Sequence, residues 1–150
     1  MTVAVTHGAE HLQFARDGDR LVLRDPAEQP PLEEYRLDDI GRALDNLTLL
    51  DVRRAREPMA TPPLGEAVFT AIDGLAVRVT LFMDGKDLWA RIAVSGPDTI
   101  EADVRKLSTR LNGWEFQLSS WKEKTLLPSL EDMKVPPKEA APSNPPGAKP

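Results

Sequence analysis

Period-two runs of apolar residues, broken by short glycine turns, constrain this chain more than any other feature. Val3 and Val5 precede His7-Gly8, Leu12 and Phe14 precede Asp17-Gly18, and Leu21 and Leu23 precede Asp25-Pro26. Alternation of this kind puts one face of each strand against a core, and the glycines allow the chain to reverse, so three short strands in a meander are predicted over the first 25 residues. A second meander follows. Ala67–Ile72 reads as a strand, Asp73-Gly74 as a two-residue turn, Leu75–Met83 as a strand, Asp84-Gly85 as a further turn and Leu88–Ser95 as a third strand. Asp-Gly suits the type I′ geometry that matches strand twist. Leu75, Val77, Val79 and Leu81 share one face, and Leu88, Ala90, Ile92 and Val94 can join it. Arg78 and Arg91 then fall on the opposite, wetter face.

The period changes between and after the meanders. Leu37, Ile40, Leu44 and Leu47 mark one face of a helix over 37–47, with Asp38 and Asp39 in a first turn that favours negative charge. Leu49, Leu50 and Val52 suggest a strand after it. Prolines mark loops over 26–35 and around Pro58, Pro62 and Pro63. Asp98 with Glu101 reads as a capping box, and Ile100, Val104, Leu107 and Leu111 form a helical stripe that Asn112-Gly113 ends. Trp114, Phe116 and Leu118 alternate as a strand. Ser120 with Glu123 suggests a second capping box before a last helix, 121–133, which carries Trp121, Leu127 and Leu130 and which Pro128 should kink or shorten. Trp114 and Trp121 are expected in the core, and Trp114→Ala to cost about 3–5 kcal/mol. Trp89, opposite the apolar face of its strand, is expected on a covered second face or at an interface.

Together these elements predict one α+β domain over 1–134, built from two βββαβ halves, 2–56 and 66–118, plus the last helix. An ungapped shift pairs Asp39-Ile40 with Asp103-Val104, Leu47 with Leu111, and Val52 with Phe116. Tandem duplication accounts for this; so does the chance alignment of any two amphipathic helices followed by strands. From Val135 onward proline dominates and few apolar side chains remain, so 135–150 is expected to be a disordered tail.

The net charge is −5, from 19 basic and 24 acidic residues. Arg53, Arg54 and Arg56 form the densest basic group, but Asp51 and Glu57 flank them, and no nucleic-acid partner is expected. The absence of cysteine excludes disulfides, thiolate nucleophiles and cysteine-rich zinc sites. No apolar run is long enough to span a membrane, and the first residues are too short and uncharged for a signal peptide.

His7-Gly8-Ala9-Glu10-His11 matches the H-x-x-E-H pattern of inverted zinc hydrolases. That chemistry needs both histidines on one helical face with the glutamate beside a bound water. Here the motif contains glycine and lies between strand-patterned segments, so the histidines are expected to flank a turn. Ser119 and Ser120 read as caps, and the pairs Asp38-Asp39 and Glu33-Glu34 as charges suited to a helix start. No catalytic, cofactor-binding or metal-ligating residue is assigned, and no cofactor is expected. A hydrolase using His7, Glu10 and His11 stands as an alternative. So does a small-ligand or peptide binder with an apolar pocket near Trp89.

The second half resembles the domain-of-unknown-function 4340 family. The matching residues are Phe69–Leu75, Asp84–Arg91 and Leu111–Lys122, where members typically read leucine–x–glycine–tryptophan–x–tyrosine–x–leucine–proline–x–tyrosine–lysine. Phe116, Ser119 and Trp121 are mild departures. Leu47–Ala55 also fits, and the resemblance extends over residues 2–133. It implies a bacterial envelope protein, periplasmic or otherwise extracytoplasmic, held by an N-terminal membrane anchor that this sequence lacks. It also implies a non-enzymatic accessory role beside ABC-type transporter components resembling the gliding-motility system. The partner it implies is a protein of the cell envelope. Its motifs supply no catalytic residue.

Overall fold

The first meander forms where the alternation places it, as β1 (Thr2–His7), β2 (Glu10–Asp17) and β3 (Arg20–Asp25). The computed structural model describes residues 1–44, 48–56 and 61–135. After α1 (Glu34–Gly41) come β4 (Asp51–Arg54) and the second meander, β5 (Gly65–Thr70), β6 (Ala76–Asp84) and β7 (Asp87–Ser95). A 3₁₀ turn, Asp98–Ile100, leads into α2 (Glu101–Leu111), then β8 (Trp114–Leu118), α3 (Lys122–Leu126) and α4 (Leu130–Met133). All eight strands form one antiparallel sheet in the order β3-β2-β1-β5-β6-β7-β8-β4. The fold is α+β in the broad sense, but mostly sheet.

Register makes one face continuous. Val3 stands opposite Phe14 and Phe69, Val5 opposite Leu12 and Ala67, Leu81 opposite Ala90, and Leu88 opposite Leu118. All are buried, and Leu37, Ile40, Leu126, Leu127 and Met133 pack on the same cluster. Gly65 makes the β1–β5 approach possible: a Cβ there would lie 2.2 Å from the Thr6 carbonyl oxygen and 3.2 Å from Leu127 Cδ1. The second face is wet over most of its width. Phe82 and Trp89, cross-strand partners, are buried on it near the β4 end.

The turns differ in detail from the expected ones. Asp84 closes the β6–β7 ladder opposite Asp87, so the two-residue loop is Gly85-Lys86, with Gly85 at φ 64° in its first central position. Asp73-Gly74 belongs to a five-residue loop, 71–75, whose tip exposes Ile72. There the Leu75 N–H donates to Asp73 Oδ1, and the side chain shapes the turn itself.

Helix ends moved further. α1 begins three residues before Leu37; Leu37, Ile40 and Ala43 are buried, and Leu47 lies outside the described residues. Neither Asp98 nor Ser120 makes a side-chain cap; Ser129 does, accepting from the Asp132 N–H at 3.1 Å. Pro128 splits the last helix rather than kinking it, because its ring cannot continue the ladder. The split turns Leu126 and Leu127 inward and leaves Trp121 64 % exposed, correcting its expected place in the core. Trp114 is half-buried, stacked beneath the Arg54 guanidinium at 4.9 Å, and α2 packs chiefly on β7.

The two halves also part company at their fourth strand. β8 pairs with β7, its own meander, whereas β4 crosses the sheet to pair with β8 instead of β3. The meanders correspond, and each is followed by a helix packed on its third strand. A repeat of the whole βββαβ unit does not. Of the expected tail, 136–150 lies outside the described residues.

Burial ranks three substitutions. Phe14→Ala, at a fully buried site, is expected to cost about 3–5 kcal/mol, Trp114→Ala about 1–3 kcal/mol, and Trp121→Ala less than about 1 kcal/mol. Urea unfolding of the three variants checks the order, and a Trp121→Ala loss matching that of Phe14→Ala would contradict it.

Candidate functional site

Charge converges most densely on the second face, where β7, β8 and β4 run side by side. Alternation on β8 sends Trp114, Phe116 and Leu118 to one side and Glu115 to the other. Register sets Arg53 opposite Glu115 and Trp89 opposite Gln117, so Arg91 lies across from Glu115 on the other flank. Glu115 is completely buried. Its Oε1 accepts from Arg53 Nε at 2.8 Å; its Oε2 accepts from Arg91 Nε at 3.0 Å and Nη2 at 2.8 Å.

The network continues outward. Arg53 Nη1 donates to Asp84 Oδ2 at 2.8 Å, and Arg56 Nη2 donates to the same oxygen. Arg91 Nη2 also donates to the Arg56 carbonyl. The Arg53 guanidinium lies 3.8 Å from the Trp89 ring centroid, a cation–π contact that explains why Trp89 is buried on the wetter face. Thr61 Oγ1 donates to the Met83 carbonyl at 2.6 Å, and the Leu64 N–H to Leu81. Residues on both sides of 57–60 are thus tied down as the chain returns from β4 to β5.

Burial by itself would raise the Glu115 pKa. Hydrogen bonds from Arg53 and Arg91 outweigh it and hold the carboxyl below its ordinary range. Hydrogen bonds from Arg53 and then Arg56 depress Asp84 in the same way. Desolvation alone would lower Arg53, but its bonds to Glu115 and Asp84 raise it further above its usual value. A general base needs a pKa near the working pH and an open line to a proton. Glu115 has neither, so the arrangement is chemically a lock: it fixes the edge strand and the start of the returning segment.

The zinc-hydrolase residues are not assembled. His7 and Glu10 face each other across the β1–β2 turn on one side of the hairpin; His11 pairs with Thr6 on the other side, its Nδ1 3.4 Å from Thr6 Oγ1. Glu10 instead accepts weakly from the Leu130 N–H, at 3.4 Å. No group of three metal-capable side chains occurs among the described residues. At Trp89, where a small-ligand pocket is one expectation, the Arg53 guanidinium covers the ring.

Open space lies elsewhere. A cleft of about 530 Å³ between β3 and α1 is lined by Arg16, Arg20, Arg42, Asp19, Glu34 and Asp38 above an apolar floor that includes Leu21 and Leu37. A groove of about 300 Å³ runs beside Trp121, between Arg36, Asp39 and Ile40 on one side and Lys124, Pro128 and Met133 on the other. Lys122, next to Trp121, is buried with its Nζ 3.4 Å from the Ala43 carbonyl and 4.8 Å from the Trp121 ring. No helix among the described residues is long and apolar enough to cross a membrane.

No family model matches the chain, and neither a curated protein nor a solved structure matches it.

The lock makes stability depend on acid. Carboxyls with folded pKa values below their unfolded ones stabilise the fold above the ordinary carboxylate range, and that stability is lost as pH falls through the depressed values. Glu115→Gln is expected to cost about 3–5 kcal/mol at pH 7, because it strands two guanidiniums, and to flatten the loss of stability on the acid side. Denaturant midpoints measured from neutral pH down to about pH 3 check both; parallel curves for the two proteins would assign the acid dependence to other groups.

Proposed function

We propose that this chain is a non-enzymatic interaction module that works outside the cytoplasm of a bacterium as an accessory to an ABC-type transporter. The interaction part of the reading rests on one observation: Trp121, 64 % exposed, stands at the mouth of the 300 Å³ groove. A large aromatic left in solvent beside an apolar-walled groove is the side chain whose burial contributes most in protein–protein contacts. The groove wall mixes Ile40, Met133 and Pro128 with charges of both signs, as interface rims do. The envelope and transporter parts rest on the resemblance to the domain-of-unknown-function 4340 family carried by Leu111–Lys122, the segment that presents Trp121.

A second reading, a small-ligand or peptide binder, draws on the cleft between β3 and α1. Its three arginines and three carboxylates over apolar residues suit a zwitterionic or peptide-like ligand. The zinc-hydrolase reading has less support, since His7 and His11 leave opposite faces of one hairpin.

Affinity purification of the protein from its host's membrane fraction, after crosslinking, tests the proposal. Transporter components should be retained with the wild type and fall about tenfold or more with Trp121→Ala, a loss in line with an interface anchor. Equal retention by both forms would remove Trp121 from the interface. A stoichiometric metal in the wild type that disappears on replacing His7 and His11 with alanine would replace the module by an enzyme.

A further inference from the structure

The sheet has two edges, and they are built differently. β3 carries Arg20 and Arg24 along its length, and Arg20 is paired with Glu34 at 2.8 Å. Self-pairing of β3 about its middle residue, Val22, would set Arg20 against the second copy's Arg24 on both sides of the axis. Charges placed like this keep an edge from adding another strand.

The β4 edge carries charges of both signs, Asp51 beside Arg53 and Arg54, so its charges can be matched by a second copy. The Ala55 N–H donates to the Gly113 carbonyl at 2.8 Å, one step beyond the Arg54–Trp114 pair. Hydrogen bonding alternates along an antiparallel ladder, so Arg53 and Asp51 turn their backbone groups toward β8, and Val52 and Arg54 turn theirs to the free edge. Among the described residues, the Val52 N–H donates to the preceding side chain, Asp51 Oδ1, at 2.8 Å. Leu49, Leu50 and Val52 are 46 %, 55 % and 50 % exposed here; the Leu50 N–H donates inward to the Gln117 carbonyl at 2.8 Å, so the outward backbone groups of this edge are those of Val52 and Arg54.

Hydrogen-bond phase allows few self-pairings of this edge. Centred on Arg53, the pairing sets that arginine against itself; centred on Arg54, it sets Arg54 against itself. Centred on Val52, it brings Val52 to Val52 and sets Asp51 of each copy opposite Arg53 of the other, twice by symmetry. The row across the sheet then reads Arg91, Glu115, Arg53 and the second copy's Asp51, alternating in sign across the seam. An isologous contact needs a patch complementary to itself, and this register provides one.

We propose that two copies of this chain associate through β4, antiparallel and centred on Val52, to form one continuous sheet across the two-fold axis. The seam is four residues long with a small apolar strip, so the dimer is weak and concentration-dependent. Asp51 releases the Val52 N–H to the second strand and faces Arg53 instead. Val52, Leu50 and Leu49 lose their exposure. The inference concerns the chain alone and stands whether or not the transporter reading holds.

Sedimentation velocity of the full chain across a wide concentration series is the first measurement, and it should show a monomer–dimer equilibrium. Val52→Pro keeps the β4–β8 bonds, because the lost N–H faces outward, and should abolish the dimer. Asp51→Lys places like charges opposite one another twice and should weaken the dimer by about tenfold. The chain has no cysteine, so Val52→Cys should crosslink rapidly under oxidation or with a short thiol-reactive linker, while Ile72→Cys, on an exposed loop tip, should not. A monomer at every concentration would overturn the proposal. So would association unchanged by Val52→Pro, or crosslinking no faster at Val52 than at Ile72. If circular dichroism shows Val52→Pro unfolded, Asp51→Lys decides: unaltered association sinks the register.

Discussion

A carboxylate with no exposure to water, held by two guanidiniums, is the constraint on which this end of the molecule depends. Glu115 sits mid-strand on β8, and its two oxygens are divided between Arg53 of β4 and Arg91 of β7. Dehydrating a carboxylate costs several kcal/mol, and three charge-assisted hydrogen bonds offset that cost only while both arginines stay in place. A register slip of one residue on either neighbour would send its arginine to the other face and leave the charge unpaired. The ion pairs therefore act less as a source of net stability than as a specification of which strands neighbour β8 and in what alignment. β4 is four residues long and could not hold its register by backbone bonding alone.

The same cluster explains why the two faces are covered so unequally. One face is apolar across seven strands, all but β4, and receives α1, α3 and α4. The other is wet except over Phe82 and Trp89, where Arg53 caps the ring and the chain leaving β4 is tied back by Arg91 and Arg56. The Arg53 guanidinium lies over the Trp89 ring while its nitrogens bond Glu115 and Asp84, so polar and apolar requirements are met by the same side chain.

The strands were legible because period two and glycine punctuation are local signals; parity put Trp89 opposite the apolar face, and of the two expected places, a covered second face or an interface, the structure shows it buried on the second face. Helix ends and caps were not, since they depend on which competing polar group is nearest once the chain has folded; Ser129 caps where Asp98 and Ser120 do not. Trp121 misled because size and hydrophobicity suggest burial, whereas its position just before α3 is fixed by the break at Pro128 and the burial of Leu126 and Leu127. Arg53, Arg91 and Glu115 were each visible as charges on alternating strands, yet they lie far apart in sequence. Their convergence required knowing that β4 pairs with β8, and nothing local announces a strand that abandons its own meander.

That displacement of β4 also decides where the molecule remains open. If β4 closed its own meander beside β3, Arg53 would be remote from Glu115 and β8 would be an edge with a buried charge and no second partner. By crossing to β8 it completes the lock but becomes the edge itself, with its outward backbone groups and Val52 uncovered. The site richest in charge is thus sealed by its own ion pairs, and the surfaces left for recognition are those the lock cannot reach: the β4 edge, the Trp121 groove and the cleft beside α1. The interaction role proposed above falls to these margins, where side chains of the described residues are exposed.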